Sequence, residues 1–160
     1  MELTLLSKQI LESGRMRISA PQSEADLRRA TSDFYYAMFH RICEALVEPL
    51  LKDEPDPAFK DTYCTLYRLP EHALLERRCK EVQSHDFSIA IKRFAQHVVA
   101  LKNKRQIADY DPLERFVISD VRNDLEIAER AILNFDRAAP QERARFAFFV
   151  ALEAKRQKPA

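Results

Sequence analysis

The stretch from Leu27 to Leu51, LRRATSDFYYAMFHRICEALVEPLL, leaves a helix almost no side that is wholly polar. At about 3.6 residues per turn, Leu27, Ala30, Phe34, Met38, Ile42 and Ala45 fall on one stripe, and Tyr35, Phe39 and Leu46 fall on a second beside it. A helix apolar over that much of its girth must be packed from several directions. The stretch therefore predicts the central helix of an all-α bundle.

The rest of the chain reads as further helices separated by short breaks. Glu2–Ser13 carries Leu3, Leu6, Ile10 and Leu11 at helical spacing, and Gly14 stands where a C-terminal cap would stand. Residues 20–23 form a turn, with Ser23 as N-cap and Glu24 and Asp26 facing the positive end of the central helix, which should stop or bend near Pro49. Asp53–Pro57 is an acidic, proline-bearing loop. Residues 58–69 and 70–83 read as two shorter helices, the second with Pro70 in its first turn. Ser84-His85-Asp86 gives a break and a cap before a long helix, Phe87–Asp109, which Asp111-Pro112 ends. Another helix starts at Ser119 and Asp120, with Val121, Leu125, Ala128, Ile132 and Phe135 as its core stripe. After Ala138-Ala139-Pro140 comes a last helix, Gln141–Gln157, with Phe146, Phe149, Val150 and Leu152 facing in and a polar end that frays. Nothing alternates with the period of a strand. At 160 residues and 46% hydrophobic content, the expectation is one domain, with a core over about 22–137 and flanking helices in 1–20 and 140–160.

Composition removes several function classes. The formal net charge is +1, so no global field draws the chain to nucleic acid or to an anionic membrane, and any basic patch must be local. A single glycine, Gly14, leaves no phosphate-cradling loop of the P-loop or dinucleotide kind. Cys43, Cys64 and Cys79 are odd in number and set among helical residues, which predicts reduced core cysteines in a cytoplasmic protein. No signal-peptide pattern and no membrane-spanning apolar run is present, so no membrane association is expected. His-Glu-x-x-His, paired Glu-x-x-His, Cys-x-x-Cys and a nucleophile elbow are all missing, and neither a metal nor a cofactor is expected.

Chemistry is concentrated on two helices. On Phe87–Asp109 the apolar stripe Phe87, Ile91, Phe94, Val98, Leu101 continues into Arg105, with Asp109 one turn beyond. An arginine carried on the core side must either pair with Asp109 or reach a cavity, a subunit interface or a ligand anion. The same helix holds Lys92, Arg93, Lys102, Lys104 and Arg105, with His97 among them and no acidic residue before Asp109. That strip is either a local phosphate-binding face or a solvated face offset by its neighbours. On the central helix, Arg29, Asp33, Tyr36 and His40 form a polar ridge between the apolar stripes. A histidine one turn from a tyrosine can serve acid–base chemistry or act as a hydrogen-bonded packing residue. Arg77, Arg78 and Lys80 make a second basic cluster, partly offset by Glu76 and Glu81.

Leu27-Arg28-Arg29-Ala30, Phe34-Tyr35-Tyr36-Ala37-Met38-Phe39-His40 and Arg105-Gln106-Ile107-Ala108-Asp109-Tyr110-Asp111-Pro112 together resemble the signatures of bacterial HEPN-domain proteins, over about Leu27 to Phe135. The resemblance implies an antiparallel helical bundle with a four- to five-helix core, frequently dimeric. It also implies a superfamily of RNA- and nucleotide-associated proteins that includes metal-independent ribonucleases, toxin–antitoxin components and defence proteins. Its catalytic members share an arginine followed a few residues later by a histidine. Arg105 fits the arginine's place, and Tyr110, separated from it by four residues, stands where the histidine would be. A phenol titrating near 10 is a poor base at neutral pH. Arg78 and His85 match the spacing formally, but across a break and without the surrounding motif.

The resemblance thus implies a non-catalytic homodimeric module that binds RNA, a nucleotide or a partner protein such as a cognate antitoxin. Its groove would contain Arg105, Asp109 and Tyr110, with Arg29, Tyr36 and His40. The alternatives are a metal-independent endoribonuclease, in which Arg105 stabilises phosphorane charge while Tyr110 or His40 assists proton transfer, and a helical scaffold whose signature residues only pack and pair.

Overall fold

The computed structural model describes residues 5–20, 23–50 and 57–153. Most of the acidic loop at 53–57, the start of the first helix before residue 5 and the tail from 154 lie outside them. Among the described residues there are seven α-helices and no strand: α1 (Leu6–Ser19), α2 (Glu24–Val47), α3 (Lys60–Tyr67), α4 (His72–Glu81), α5 (Ile89–Tyr110), α6 (Ile118–Asp136) and α7 (Pro140–Ala151). Among these residues no helix is long and apolar enough to cross a membrane.

The central helix is α2, and its neighbours are α1, α5, α6, α7 and α3. Ala30, Phe34, Tyr35, Met38, Ile42 and Ala45 lie fully out of solvent. The helix gives way at Val47 to a turn of 3-10 helix, Glu48–Leu50, around Pro49. Ser23 is the N-cap in extended conformation, and its carbonyl accepts from the Asp26 amide at 3.1 Å. Phe94 of α5 stacks on Phe135 of α6 at 4.3 Å, and Phe146 of α7 meets both rings edge-on. This aromatic cluster fixes three helices to one another.

Several boundaries differ from the sequence pattern. Pro70 precedes the N-cap Glu71 instead of sitting in the first turn of α4, and the cap of α5 is Ser88, whose hydroxyl accepts from the Ile91 amide. Helix α7 ends at Ala151, which leaves Leu152 outside it and 46% exposed, so Leu152 does not face the core. Gly14 is not a C-cap: α1 continues past it to Ser19, and the glycine is buried. A Cβ there would lie 2.6 Å from Cε1 of Phe34, so the missing side chain is what lets α1 close on α2.

Between these apolar layers runs one buried polar seam. Arg41, 3% exposed, donates from Nε to Asp136 Oδ1 at 2.7 Å and pairs through Nη2 with Glu48 Oε1 at 2.6 Å. Glu44 accepts from the Ser7 amide at 2.8 Å and from the Ser7 hydroxyl at 2.6 Å. Arg143 of α7 pairs with Glu48 at 3.3 Å and donates to the Asp136 carbonyl at 2.8 Å.

Gly14→Ala should lower the melting temperature. Alanine gains about 1 kcal/mol in helix propensity over glycine, while overpacking a closed interface costs about 1–3 kcal/mol, and the buried Phe34 ring has little room to move. Thermal melts by circular dichroism test this; an unchanged or higher Tm would show that the α1–α2 contact is not limiting.

Candidate functional site

The two signature segments meet in space. Tyr36 of α2 accepts from Arg105 Nη2 of α5 at 2.9 Å. Arg105 Nε lies 2.8 Å from Asp109 Oδ2, but its N–H is not directed at that oxygen, so the contact is an ion pair and not an aligned hydrogen bond. The guanidinium lies over the Tyr36 ring at 5.3 Å and the Tyr110 ring at 5.7 Å, with its side chain 15% exposed. Burial opposes its charge, yet Tyr36, Asp109, Tyr110 and Tyr35 outweigh burial and hold the group above its ordinary value. Arg105 is a fixed cation at the edge of the bundle, already partnered within its own chain.

The other ridge residues diverge. Arg29 is exposed. Asp33 turns to α1, where it pairs with Arg17 at 3.0 Å and accepts from the Ser13 hydroxyl at 3.3 Å. His40 turns to α3, with Nδ1 2.7 Å from the Tyr67 hydroxyl. Tyr36, Arg105, Asp109 and Tyr110 are thus brought together, while Arg29 and His40 face elsewhere. Tyr110 itself is 74% exposed.

Two residues that the sequence did not single out complete the region. Arg28 reaches across to the end of α5, donating to the carbonyls of Ala108 at 2.9 Å and Asp111 at 2.7 Å and to that of Glu114. A cation on the last carbonyls of a helix satisfies acceptors that have no helical partner and complements the dipole. Asp111 closes the following turn, its Oδ1 accepting from the amides of Leu113 at 2.9 Å and Glu114 at 3.2 Å. The second residue is His72, in the first turn of α4. Its Nδ1 is 2.6 Å from the Tyr35 hydroxyl, its ring stacks on Phe39 at 4.3 Å, and it meets the Tyr36 ring edge-on at 5.8 Å.

Two tyrosine–histidine pairs, Tyr35 with His72 and Tyr67 with His40, therefore flank Phe39. Burial pushes both phenols up, so they stay protonated. The Tyr35 hydroxyl is buried with no other acceptor among the described residues, so its proton goes to Nδ1 of His72 and that ring's proton sits on Nε2. The half-buried Tyr67 hydroxyl shares a hydrogen bond with Nδ1 of His40. Burial lowers the pKa of His40; burial and the charges of Arg105 and Lys102 lower that of His72. Neutral imidazoles whose basic nitrogen is occupied are well suited to packing and poorly suited to taking a substrate proton.

The C-terminal half of the basic strip on α5 is neutralised, by neighbouring helices and by α5 itself. Lys102 pairs with Glu76 of α4 at 2.6 Å, Lys104 pairs with Asp124 of α6, and Arg105 pairs with Asp109. Burial raises the thiol of Cys43 to about 12 and that of Cys79 higher still, leaving both inert. No group of metal-ligating side chains occurs among the described residues.

A histidine held below its unfolded value makes folding weaker once the unfolded chain takes up protons, so the contribution of His40 and His72 is present above pH 6.5 and lost as pH falls below it. Wild-type Tm should drop between pH 7 and pH 5. In His40→Gln/His72→Gln, where each amide oxygen can still accept from its tyrosine, the drop should be smaller. Equal slopes in the two proteins would remove these histidines as the cause.

Against this geometry stands the outcome of comparison with known proteins: no family model, no curated protein and no solved structure matches the chain.

Proposed function

We propose that this chain is a HEPN-like helical module that self-associates and binds a partner protein, RNA or a nucleotide through the end of α5 that carries Arg105, without cutting what it binds. The observation that carries this reading is the composition of that surface. Ile107, Tyr110, Leu113 and Val117, all on the end of α5 or the connection to α6, are 41%, 74%, 87% and 52% exposed, and the Tyr110 ring lies 5.7 Å from the anchored Arg105 guanidinium. Exposed apolar side chains along one segment, with a fixed arginine against one of them, have the make-up of a protein interface, where aromatic residues and arginine are enriched. Arg28 and the Asp111 turn hold this segment in one shape, which lowers the ordering cost of binding. The occupied Nδ1 atoms of His40 and His72 support a binding role over ribonuclease chemistry.

Light scattering at micromolar concentration should give a dimer for the wild type and a monomer for Leu113→Asp, whose side chain is too exposed to support the fold. A wild-type monomer would defeat self-association. With total cellular RNA in EDTA, no cleavage is expected, and Arg105→Ala should weaken association while leaving the fold largely intact. Metal-independent cleavage lost in Arg105→Ala would return the chain to the endoribonuclease reading, with Tyr110 or His40 as the proton-transfer group. A lower Tm with unchanged association would mark Arg105 as purely structural.

A further inference from the structure

A second charged feature lies on another part of the bundle, toward the N-terminal end of α5. Between α5 and α6 runs a groove of about 680 Å³, lined by Arg93 and His97 from α5 and by Arg130, Asn134 and Arg137 from α6 and its C-cap. Its volume is that of a small-molecule site. Three arginines face one concavity, and none of them has a carboxylate or hydrogen-bond partner through its side chain among the described residues. Many of the chain's other cations stand against acids, as with Arg17 and Asp33, Lys102 and Glu76, or Arg143 and Glu48. Concentrating unmatched guanidinium groups along a groove raises the local potential, because repulsion between them is relieved only by solvent, salt or a bound anion.

The surroundings add to that field. Ser88, Ile89 and Ala90 line the same groove, so the positive end of α5 opens onto it. Glu142 is the one carboxylate in the lining, and it is already engaged by the Ser88 amide at 2.8 Å. Arg130 and Arg137 are seven residues apart on α6, about 10 Å along the axis, a span longer than a single phosphate. No exposed aromatic ring lines the groove, so it has no platform for stacking bases.

We propose that the α5–α6 groove is a binding site for a run of linked phosphates, held through Arg93, Arg130 and Arg137 by their charge and without reading bases. The site is distinct from the Arg105 surface and does not depend on the function proposed for it. Either a polyphosphate group or the backbone of a single-stranded nucleic acid presents such a ligand, and guanidinium forks suit its oxygens better than ammonium groups do.

The test is fluorescence anisotropy of the purified protein with a labelled single-stranded RNA 12-mer, competed by inorganic tripolyphosphate and repeated over a range of salt. Arg93→Gln, Arg130→Gln and Arg137→Gln should each weaken binding about tenfold, as expected for loss of a charge-assisted contact. Each should also flatten the log–log salt slope by roughly 0.7. Arg122→Gln, which removes an equal charge from an exposed position on α6 outside the groove, should change neither, and Arg105→Ala should leave intact the part of the binding that tripolyphosphate displaces. All three arginines are exposed, so circular dichroism should show the variants folded. Binding of tripolyphosphate as tight as that of RNA identifies a polyphosphate ligand, while affinity that rises with RNA length identifies a nucleic-acid backbone. No binding of either probe, or equal losses in Arg122→Gln and the groove variants, overturns the proposal.

Discussion

Arg41 is the constraint on which the arrangement of the helices depends. Removing a guanidinium from water costs several kcal/mol unless its donors are met, and here Nε and Nη2 are met from different parts of the chain by Asp136 at the end of α6 and Glu48 just beyond α2. The buried Nη1 makes no hydrogen bond and faces Glu44 at 3.8 Å. Burial opposes the charge, but Asp136 and Glu48 outweigh it and hold the group above its ordinary value. Glu44, raised by burial, leans on Ser7 of α1, and Arg143 of α7 shares Glu48 and the Asp136 carbonyl. An apolar stripe tolerates sliding by a turn, whereas this seam does not. It therefore fixes the rotation and the height of α1, α6 and α7 against α2.

With α2 fixed in this way, its remaining polar residues point outward to separate tasks. Asp33 ties down α1, His40 meets α3, and Tyr36 reaches the guanidinium of Arg105. Arg28 joins the start of α2 to the end of α5 and the turn beyond it through four backbone carbonyls. The Arg105 surface is consequently a rigid part of the bundle, built where the two ends of its longest helices cross. The α5–α6 groove differs in kind, because its arginines hold no side-chain partner among the described residues and are exposed to solvent.

How much of the candidate site could be read in advance depends on the range of the interaction. The Arg105–Asp109 pair is one turn apart on a single helix, and spacing alone exposes it. The Tyr36–Arg105 bond joins residues 69 apart, and only the placement of α5 against α2 creates it. Arg28 and Arg29 are neighbours of identical chemistry, yet one clamps the end of α5 and the other is exposed, because successive residues on a helix point about 100° apart. His72 gave no signal, since its short helix has no firm stripe and its partners all lie on α2.

By itself the sequence determined that this chain is helical, which faces of its long helices are buried, and where prolines stop them, because side-chain period and backbone restriction are local properties. It also located the stripe from Phe87 to Arg105. Only the tertiary structure decided which polar residues found partners: that Gly14 is a point of close approach and not a cap, that two histidines are hydrogen-bonded to two tyrosines, that Lys102 and Lys104 are matched by α4 and α6, and that Arg93, Arg130 and Arg137 share one groove with no ion pair among the described residues. Those outcomes depend on the relative rotation and height of packed helices, which periodicity along one helix does not encode.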